Sequence, residues 1–223
     1  ISSAGHDLLI PELQKQLGEF EETRFTTVGP TVGESLRYKA IYAILIASIM
    51  IVLYIAFAFR KVPRNVSKWR FGVAAVVALL HDLGIMLGVY VYFGVFFGVE
   101  IDALFITAML TILGFSVHDT IVVFDRIREK LKYQRSDETF GDVTNRAVNE
   151  TIARSINTSF SVFLTLLALA VFGSETVRFF VLSLLVGIIA GTYSSIFVAS
   201  PILVDWQEYA KKTTQGRHQN TKT

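Results

Sequence analysis

The chain has 223 residues, of which 52% are hydrophobic and only 18% are charged, and its formal net charge at pH 7 is +2. Soluble domains contain about 25% charged residues, so this composition excludes an ordinary soluble domain. The chain contains no cysteine, which excludes disulfides and thiolate metal sites.

The first part of the chain, residues 1–38, is polar and is interrupted by glycine and proline. The chain begins at Ile1, without the basic and apolar segments of a signal peptide. We therefore interpret residues 1–38 as the end of a domain whose beginning lies upstream.

Five apolar runs follow, each with few or no charged residues. A run of ~20 apolar residues crosses a hydrocarbon core of roughly 30 Å at ~1.5 Å per residue. We therefore predict an all-α membrane protein, with a transmembrane bundle over residues 39–206 and five spans at about 40–59, 71–97, 103–125, 157–173 and 178–204.

The connections between the runs differ in charge. Lysine and arginine are concentrated in loops 60–70 and 126–153 and in the tail 207–223. The two turns on the other side carry three acidic residues and a single arginine, at 98–102 and 173–178. Because lysine and arginine mark the cytoplasmic side, we predict that both loops and the C-terminus are cytoplasmic and that residues 1–38 are extracytoplasmic.

The longer loop and the tail receive separate predictions. Ser136–Asp137 precedes an apolar stripe at helical spacing, which predicts a helix that starts there and lies along the membrane surface. The polar composition of residues 207–223 predicts disorder.

Small residues in two spans are candidates for helix packing, because helices in lipid associate through close approach. Gly187 and Gly191 are four residues apart in the last span, and Gly84 and Gly88 have the same spacing in the second. Either pair could face a neighbouring helix of this chain or a partner protein.

Ionisable residues inside a span cost ~2.5–3.5 kcal/mol on insertion scales and suggest a function. Asp119 lies seven residues before Arg126, roughly 10 Å inside its span. Burial disfavours its charged form, whereas Arg154 before the next apolar run would favour it, so Asp119 is the main candidate for a proton relay. The alternative is a static partner of Arg154 that holds two helices in register.

Polar residues near this pair are weaker relay candidates. Arg154, Thr158, Ser161 and Thr165 share one helical face, and such a stripe is expected to face the bundle interior or a hydrated path. The alternatives are that each hydroxyl bonds a carbonyl of its own helix and that Arg154 extends to the cytoplasmic interface.

Two further positions in the spans and one helix end are also candidates. His118 is either an interior histidine, the favoured interpretation, or a second protonatable group. Asp82 is a weaker relay candidate, for which a hydrogen bond that bridges helices is favoured. A structural clamp of i,i+3 and i,i+4 ion pairs is expected at Asp125, Arg126, Arg128 and Glu129.

The segment GFSVHDTIVVFDRIREKL resembles the signature of the SecF family, the small subunits of SecDF protein-export complexes in the resistance-nodulation-division superfamily. The stretches VGPTVGESL, ALLHDLGIMLG, GVEIDALFITAMLTILG and GTYSSIFVASPIL agree with it, so the resemblance covers about residues 28–204. Asp119 then matches the family's membrane-embedded aspartate implicated in proton passage, and Arg154 matches an arginine implicated with it. His118 departs from the family's usual asparagine.

The resemblance implies a six-span protein, with one more span and most of an extracytoplasmic α+β domain upstream. It implies a proton-motive-force-driven accessory subunit of the Sec preprotein translocase in the cytoplasmic membrane. The implied partners are SecD, the SecYEG translocon, YajC, exported preproteins and membrane lipid. Neither a nucleic acid nor covalent substrate chemistry is implied, so the chain is not expected to be an enzyme.

No cofactor or metal is expected beyond the coupling ion, which is H⁺ with Na⁺ as the alternative. Two other functions remain open from the sequence. One is a small-molecule exporter half of the same superfamily, and the other is a purely structural membrane subunit whose charges lock helices together.

Overall fold

The computed structural model describes residues 3–18, 30–60 and 66–220. These residues contain no strand and form seven α-helices: α1 Ser3–Leu17, α2 Pro30–Ala58, α3 Lys68–Phe97, α4 Ala103–Leu131, α5 Phe140–Phe172, α6 Glu175–Ser194 and α7 Ser200–Asn220. A π-helical turn, Ser195–Ala199, joins α6 to α7. Residues 19–29 of the segment interpreted as a domain remnant lie outside the described residues.

Five stretches are long and apolar enough to cross a membrane: Tyr38–Ala58, Lys68–Phe97, Ala103–Leu131, Phe140–Phe172 and Glu175–Lys211. The predicted all-α bundle with five spans is therefore confirmed. All five stretches extend beyond the predicted span limits at one end or both, because a charged residue ends an apolar run without ending a helix. Lysine, arginine and glutamate are themselves good helix formers.

The connection between α4 and α5 differs from the sequence prediction. Only residues 132–139 separate the two helices, so the helix expected along the membrane surface is instead the first part of α5. Thr139, rather than Ser136–Asp137, caps it: Asp142 N donates to Thr139 Oγ1 at 3.1 Å, and Thr139 N donates to Asp142 Oδ2 at 2.9 Å. This reciprocal capping box starts the helix, and its apolar stripe packs against the bundle core instead of lipid.

The C-terminal tail also differs from the prediction, because α7 continues to Asn220 and residues 207–220 are helical rather than disordered. Leu203 is fully buried on the first turn of α7. One turn later, the Gln207 side chain accepts a 2.5 Å hydrogen bond from Arg70 Nη1 of α3. These two contacts fix the start of α7, from which the helix extends.

Helix α6 occupies the centre of the bundle, where it packs against α3, α4 and α5. By contrast, α2 and α5 leave most of their residues exposed on the outside of this chain. One apolar cluster lies at the end of the bundle that carries the basic loops, which we call the basic end, and contains Phe59, Phe71, Phe124, Val143 and Leu203. A second cluster lies towards the other end and contains Leu79, Met86, Phe105, Ile112 and Leu184.

An ion pair stabilises the short α4–α5 connection in a pH-dependent way. Arg146 Nη1 donates to Glu138 Oε1 at 2.5 Å, and Arg135 N donates to Glu138 Oε2 at 3.1 Å. These bonds, chiefly the one from Arg146, lower the pKa of Glu138 below its ordinary value. A carboxylate with a lowered pKa in the folded state stabilises the fold above its unfolded pKa of about 4.3, and that stabilisation is lost as pH falls through the folded pKa.

We therefore expect Glu138→Gln to increase amide hydrogen exchange of residues 139–146 at pH 7. At a pH below the folded pKa, the variant and the parent protein should exchange alike, because Glu138 is then neutral in both. Asp137→Asn is the matched control, since it removes the same charge from the same connection without breaking a described ion pair. Equal exchange of the parent and Glu138→Gln at pH 7 would contradict the prediction.

Candidate functional site

The carboxylate of Asp119 lies inside the bundle, on α4, and is only 2% exposed. Its Oδ2 atom accepts hydrogen bonds from Ser159 Oγ of α5 at 3.2 Å and from Thr192 Oγ1 of α6 at 3.3 Å. The two hydroxyls are also within hydrogen-bond distance of each other, at 2.6 Å. Three helices therefore meet at one carboxylate with no cation among its hydrogen-bond partners.

The hydroxyls around Asp119 can reverse their hydrogen bonds. Each hydroxyl has one proton to donate and two lone pairs to accept with. Thr192 Oγ1 lies within hydrogen-bond distance of Asp119, of Ser159 and of the Ile188 carbonyl at 2.9 Å. Its single proton can form a full hydrogen bond with only one of these three acceptors at a time. An ionised Asp119 only accepts, whereas a protonated Asp119 also donates, so a change in protonation rearranges the whole network.

A cavity of about 650 Å³ lies beside Asp119 and extends towards the basic end. Its wall comes from α4 and α5 and includes His118, Asp119, Arg126, Glu150, Arg154 and Ser155. The volume is many times the ~30 Å³ that one water occupies in the liquid. Ser155 Oγ is buried without a protein hydrogen-bond partner, so a water in this cavity could bond to it. The cavity is thus suited to a hydrated path that ends at Asp119.

Arg154 lines this cavity but does not contact Asp119. Within the described parts of the chain, no ion pair joins the two residues, and the Arg154 side chain is exposed. The pair that the sequence suggested as a direct contact is therefore a pair of charges that share one cavity.

The polar stripe of α5 faces away from this chain's interior. Thr158, Ser161 and Thr165 are exposed, and each donates to the carbonyl four residues earlier, at 3.0, 2.9 and 3.1 Å. The stripe therefore does not face the interior of this bundle, and its hydroxyls bond within their own helix. At its basic end, however, Arg154 and Thr158 line the cavity beside Asp119, which agrees with the expectation of a hydrated path for these two residues.

Four hydroxyls of α5 are buried, at Thr144, Thr151, Ser155 and Ser159, and they lie on the neighbouring face. The spacing of four residues from Thr151 to Ser159 was a signal that sequence reasoning passed over, because the adjacent stripe contained an arginine. Thr192 was also missed, and only its position as a hydroxyl inside an apolar span could have drawn attention to it.

The basic end of α4 carries the ion pairs that its spacing suggested. Arg126 Nη1 lies 2.5 Å from Glu129 Oε2, and Arg128 Nη2 lies 2.6 Å from Asp125 Oδ1. Arg128 Nη1 also donates to the Ala58 carbonyl of α2 at 3.0 Å.

Glu150 of α5, which sequence reasoning did not single out, completes this cluster at the cavity wall. It pairs with Arg126 and, at 2.7 Å, with Lys130. The clamp of α4 therefore extends across to α5.

A second aspartate is buried in the bundle at Asp82 of α3, whose side chain is 0% exposed. Ser116 Oγ of α4 donates to Asp82 Oδ2 at 2.5 Å, and Ser194 Oγ of α6 donates to the same atom at 2.7 Å. His81 Nδ1 lies 3.1 Å from Asp82 Oδ1. This arrangement agrees with the helix-bridging interpretation of Asp82.

His118 does not occupy the interior position that sequence reasoning favoured for it. Its side chain is exposed and lines the cavity, because it points about 100° away from Asp119 around α4. Among the described residues, no group of three or more His, Asp or Glu side chains is arranged to bind a metal ion.

The glycines of α6 allow another helix to pack closely, whereas the space beside the glycines of α3 is empty. A Cβ at Gly187 would lie 2.1 Å from Ile112 Cδ1, and a Cβ at Gly191 would lie 3.2 Å from Ser116 Cα. A Cβ at Gly84 or Gly88 would meet nothing within 4 Å. The α6 pair therefore packs against α4, whereas the α3 pair makes no such approach within the described part of this chain.

Comparison with known proteins gives a consistent family. The family described as "Protein export membrane protein SecD/SecF, C-terminal" matches residues 10–209. The protein translocase subunit SecF of Thermobaculum terrenum is 53% identical over 195 residues, which cover 87% of this chain and 60% of that protein. The protein translocase subunit SecDF of Thermus thermophilus is 42% identical over 185 residues, which cover 83% of this chain and 23% of that protein.

The fold has a solved counterpart as well. A crystal structure of SecDF in the super-membrane-facing form matches with a TM-score of 0.76 and 33% identity, over 97% of this chain and 28% of that chain. The present chain spans 60% of the length of the Thermobaculum terrenum protein and 66% of the SecF subunit of Anaerolinea thermophila. The matched proteins are thus longer than this chain.

Proposed function

The chain belongs to the SecD/SecF family of protein-export membrane proteins, and on that premise we propose that it is a proton-motive-force-driven accessory subunit of the Sec preprotein translocase. In this role it acts with SecD in the cytoplasmic membrane, next to the SecYEG translocon and YajC, and assists the export of preproteins. It carries out no covalent chemistry on its substrate.

The observation that carries the proposal is the Asp119 site. The Asp119 carboxylate is buried, and its described hydrogen-bond partners are two hydroxyls that can either donate or accept. It lies beside a cavity of about 650 Å³. These are the features that a proton-binding site needs. Removing the charge by protonation removes the electrostatic cost of holding an ion inside the membrane. Because Ser159 and Thr192 lie on different helices, that change alters how α4, α5 and α6 are held together.

The consequence is a two-state mechanism. With Asp119 ionised, both hydroxyls donate to it and tie the three helices to one acceptor. With Asp119 protonated, the carboxyl group also donates a hydrogen bond. Because the hydrogen bonds between the helices then differ, the balance between alternative helix packings shifts. A proton gradient that loads and unloads Asp119 would drive the bundle between these packings, and an extracytoplasmic part of the complex would transmit the movement to a preprotein.

The orientation follows from charge. The basic end carries loop 60–70, the α4–α5 connection and α7, so the positive-inside rule places it in the cytoplasm. The cavity beside Asp119 then opens towards the cytoplasm. The relative from Thermus thermophilus bears the name SecDF and is a longer chain, which supports SecD as the partner, and the exposed outer faces of α2 and α5 offer it a surface.

The coupling ion we propose is H⁺. Asp119 has one carboxylate and two hydroxyl neighbours. Hard cations such as Ca²⁺ and Mg²⁺ take six or more oxygen ligands, and a Na⁺ site would likewise need oxygens beyond the two carboxylate and two hydroxyl oxygens here. A proton needs only the carboxylate.

The proposal is tested with the full-length protein and SecD, reconstituted in liposomes with the translocon, its ATPase and a preprotein. An imposed proton gradient should increase the amount of preprotein that completes translocation, and a sodium gradient of the same size should not. A gain from sodium alone would assign the coupling to Na⁺, and no gain from either gradient would contradict the proposal.

Arg154 supplies a more specific prediction. Its cation faces the cavity that Asp119 shares, and charges across a hydrated cavity interact without contact. Arg154→Gln should therefore lower proton-driven export several-fold and change its dependence on pH. Arg135→Gln removes an exposed arginine of the nearby connection and should leave both unchanged, so an equal response of the two variants would contradict a role for Arg154 in the cavity.

A further inference from the structure

Asp82 and Asp119 are held in the same way. Each is buried inside the bundle, each accepts from a serine on the next helix along the chain, and each accepts from a hydroxyl on α6. For Asp82 these are Ser116 and Ser194, at 2.5 and 2.7 Å, and for Asp119 they are Ser159 and Thr192, at 3.2 and 3.3 Å. The bundle thus contains two carboxylate sites of the same construction.

The two sites lie at a similar depth in the bundle. On α4, Ser116, which bonds Asp82, is three residues further from the basic end than Asp119. On α6, which runs towards the basic end, Ser194, which bonds Asp82, is two residues nearer to that end than Thr192, which bonds Asp119. These offsets of about 4.5 Å and about 3 Å, at ~1.5 Å per residue, have opposite directions, so the two carboxylates lie side by side.

The same short segment of α6 serves both carboxylates. Thr192 and Ser194 are two residues apart, which turns their side chains about 200° around the helix to opposite sides. Thr192 meets Asp119 on one side and Ser194 meets Asp82 on the other. A rotation or shift of this segment therefore changes both sets of hydrogen bonds together.

The close packing around Thr192–Ser194 means that a movement of this segment acts directly on the residues of the Asp82 site. A Cβ at Gly191 would lie 3.2 Å from Ser116 Cα and 3.7 Å from Asp82 Oδ2, so α6 lies against both Ser116 and Asp82. The π-helical turn Ser195–Ala199 follows the segment immediately. A π-helical turn is an interruption in an α-helix that is often found at functional sites, and it frees the end of α6 from the regular hydrogen-bond pattern of a continuous helix.

Among the described residues, no lysine or arginine pairs with Asp82. Its partners are two hydroxyls and His81, whose side chain is 37% exposed and is a cation only when protonated. The apolar parts of the neighbouring helices, residues 40–59, 157–173 and 179–204, contain no Asp, Glu, Lys or Arg. The ionisable side chains on the segments that hold Asp82 are therefore His81 on its own helix, His118 and Asp119 on α4, and Tyr193 on α6.

We infer that Asp82 is a second proton-binding site of this protein, and that the segment Thr192–Ser194 couples its occupancy to that of Asp119. The inference rests on the proposed function, in which Asp119 exchanges a proton. It gives the bundle a second proton-binding carboxylate beside Asp119, across α6 from it, and gives α6 the role of linking the two protonation states.

The alternative is that Asp82 is a permanent hydrogen-bond acceptor that joins α3, α4 and α6. Asparagine separates the two roles, because its amide oxygen accepts from Ser116 and Ser194 but does not titrate. The readout is the infrared carbonyl band of buried carboxylic acids, followed against pH in the full-length protein with SecD in nanodiscs.

The parent protein should show two such bands that titrate. Asp82→Asn should remove one and shift the pH midpoint of the other by about half a pH unit or more, the scale of interactions between neighbouring buried carboxylates. By reciprocity, Asp119→Asn should shift the midpoint of the Asp82 band by the same amount, so the coupling is measurable even if Asp82→Asn does not fold.

Two serines of α6 provide a matched pair. Ser194→Ala removes the hydroxyl link and should reduce the coupling between the bands. Ser183→Ala removes a buried hydroxyl of the same helix that bonds only the Phe179 carbonyl, and should leave the coupling intact.

A single titrating band in the parent protein that Asp119→Asn removes would overturn the inference and leave the proposed function standing. Two bands with independent midpoints would overturn the coupling. The absence of any band that depends on Asp119 would instead contradict the proposed function itself.

Discussion

Asp119→Asn is expected to reduce proton-driven export to the level measured without a gradient, while leaving the protein folded. The amide oxygen of asparagine can accept from Ser159 and Thr192 as the carboxylate does, so the helix contacts persist. The variant cannot take up a proton, and the two-state change at this site is lost. Translocation driven by ATP alone should continue, and the difference between the two rates is the quantity to measure.

Asp125→Asn is the matched control for this prediction. It makes the same substitution on the same helix and along the same cavity, but Asp125 is 55% exposed and pairs with Arg128 at the end of α4. It should retain proton-driven export. Full export in Asp119→Asn would contradict the relay and favour a structural membrane subunit whose buried polar residues only join helices.

Gly187→Ala is expected to destabilise the bundle, although alanine is usually the better helix residue by about 1 kcal/mol. The added Cβ would lie 2.1, 2.3 and 2.9 Å from three side-chain carbons of Ile112. Ile112 is 1% exposed and is packed among the buried residues of an apolar cluster, so it can move only by displacing them. Overpacking of this kind costs about 1–3 kcal/mol, so the helix preference is offset and a net loss in the free energy of unfolding remains.

Gly88→Ala tests the same substitution where nothing lies within 4 Å, and it should leave stability unchanged or raise it by up to about 1 kcal/mol. The two variants, compared by denaturant unfolding in detergent, should therefore differ in sign. Combining Gly187→Ala with Ile112→Ala should recover part of the loss, because residues in contact are energetically coupled. A Gly187→Ala variant as stable as Gly88→Ala would show that α6 does not approach α4 as closely as the structure has it.

The membrane spans were predictable because the signal is local. A run of about 20 apolar residues has only one stable placement, and each helix satisfies its own backbone hydrogen bonds in lipid. The ends of the helices were less predictable, as α5 shows. Its start depends on the Thr139–Asp142 capping box and on whether the following apolar stripe finds a core or lipid to pack against.

The site was predictable in part for the same reason. Asp119 and Asp82 stood out because a carboxylate inside an apolar run is costly wherever the run packs. Their partners did not stand out, because serine and threonine are common in membrane helices and can always bond their own backbone. Ser159 and Thr192 acquire their role only from the helices that bring them to Asp119, while Thr158, one residue away, faces outwards.

The sequence by itself therefore determined the class of protein, the five apolar spans found among the described residues and the two carboxylates worth testing, and its charge distribution predicts the orientation of the spans. Only the tertiary structure decided which hydroxyls bind those carboxylates, that Arg154 shares a cavity with Asp119 without touching it, and that α6 lies between the two sites. The physical reason is that hydrophobicity acts through composition along the chain, whereas hydrogen bonds act over about 3 Å between helices. Which helix faces meet is set by close packing, as at Gly187 and Gly191, and that packing depends on every neighbouring helix at once.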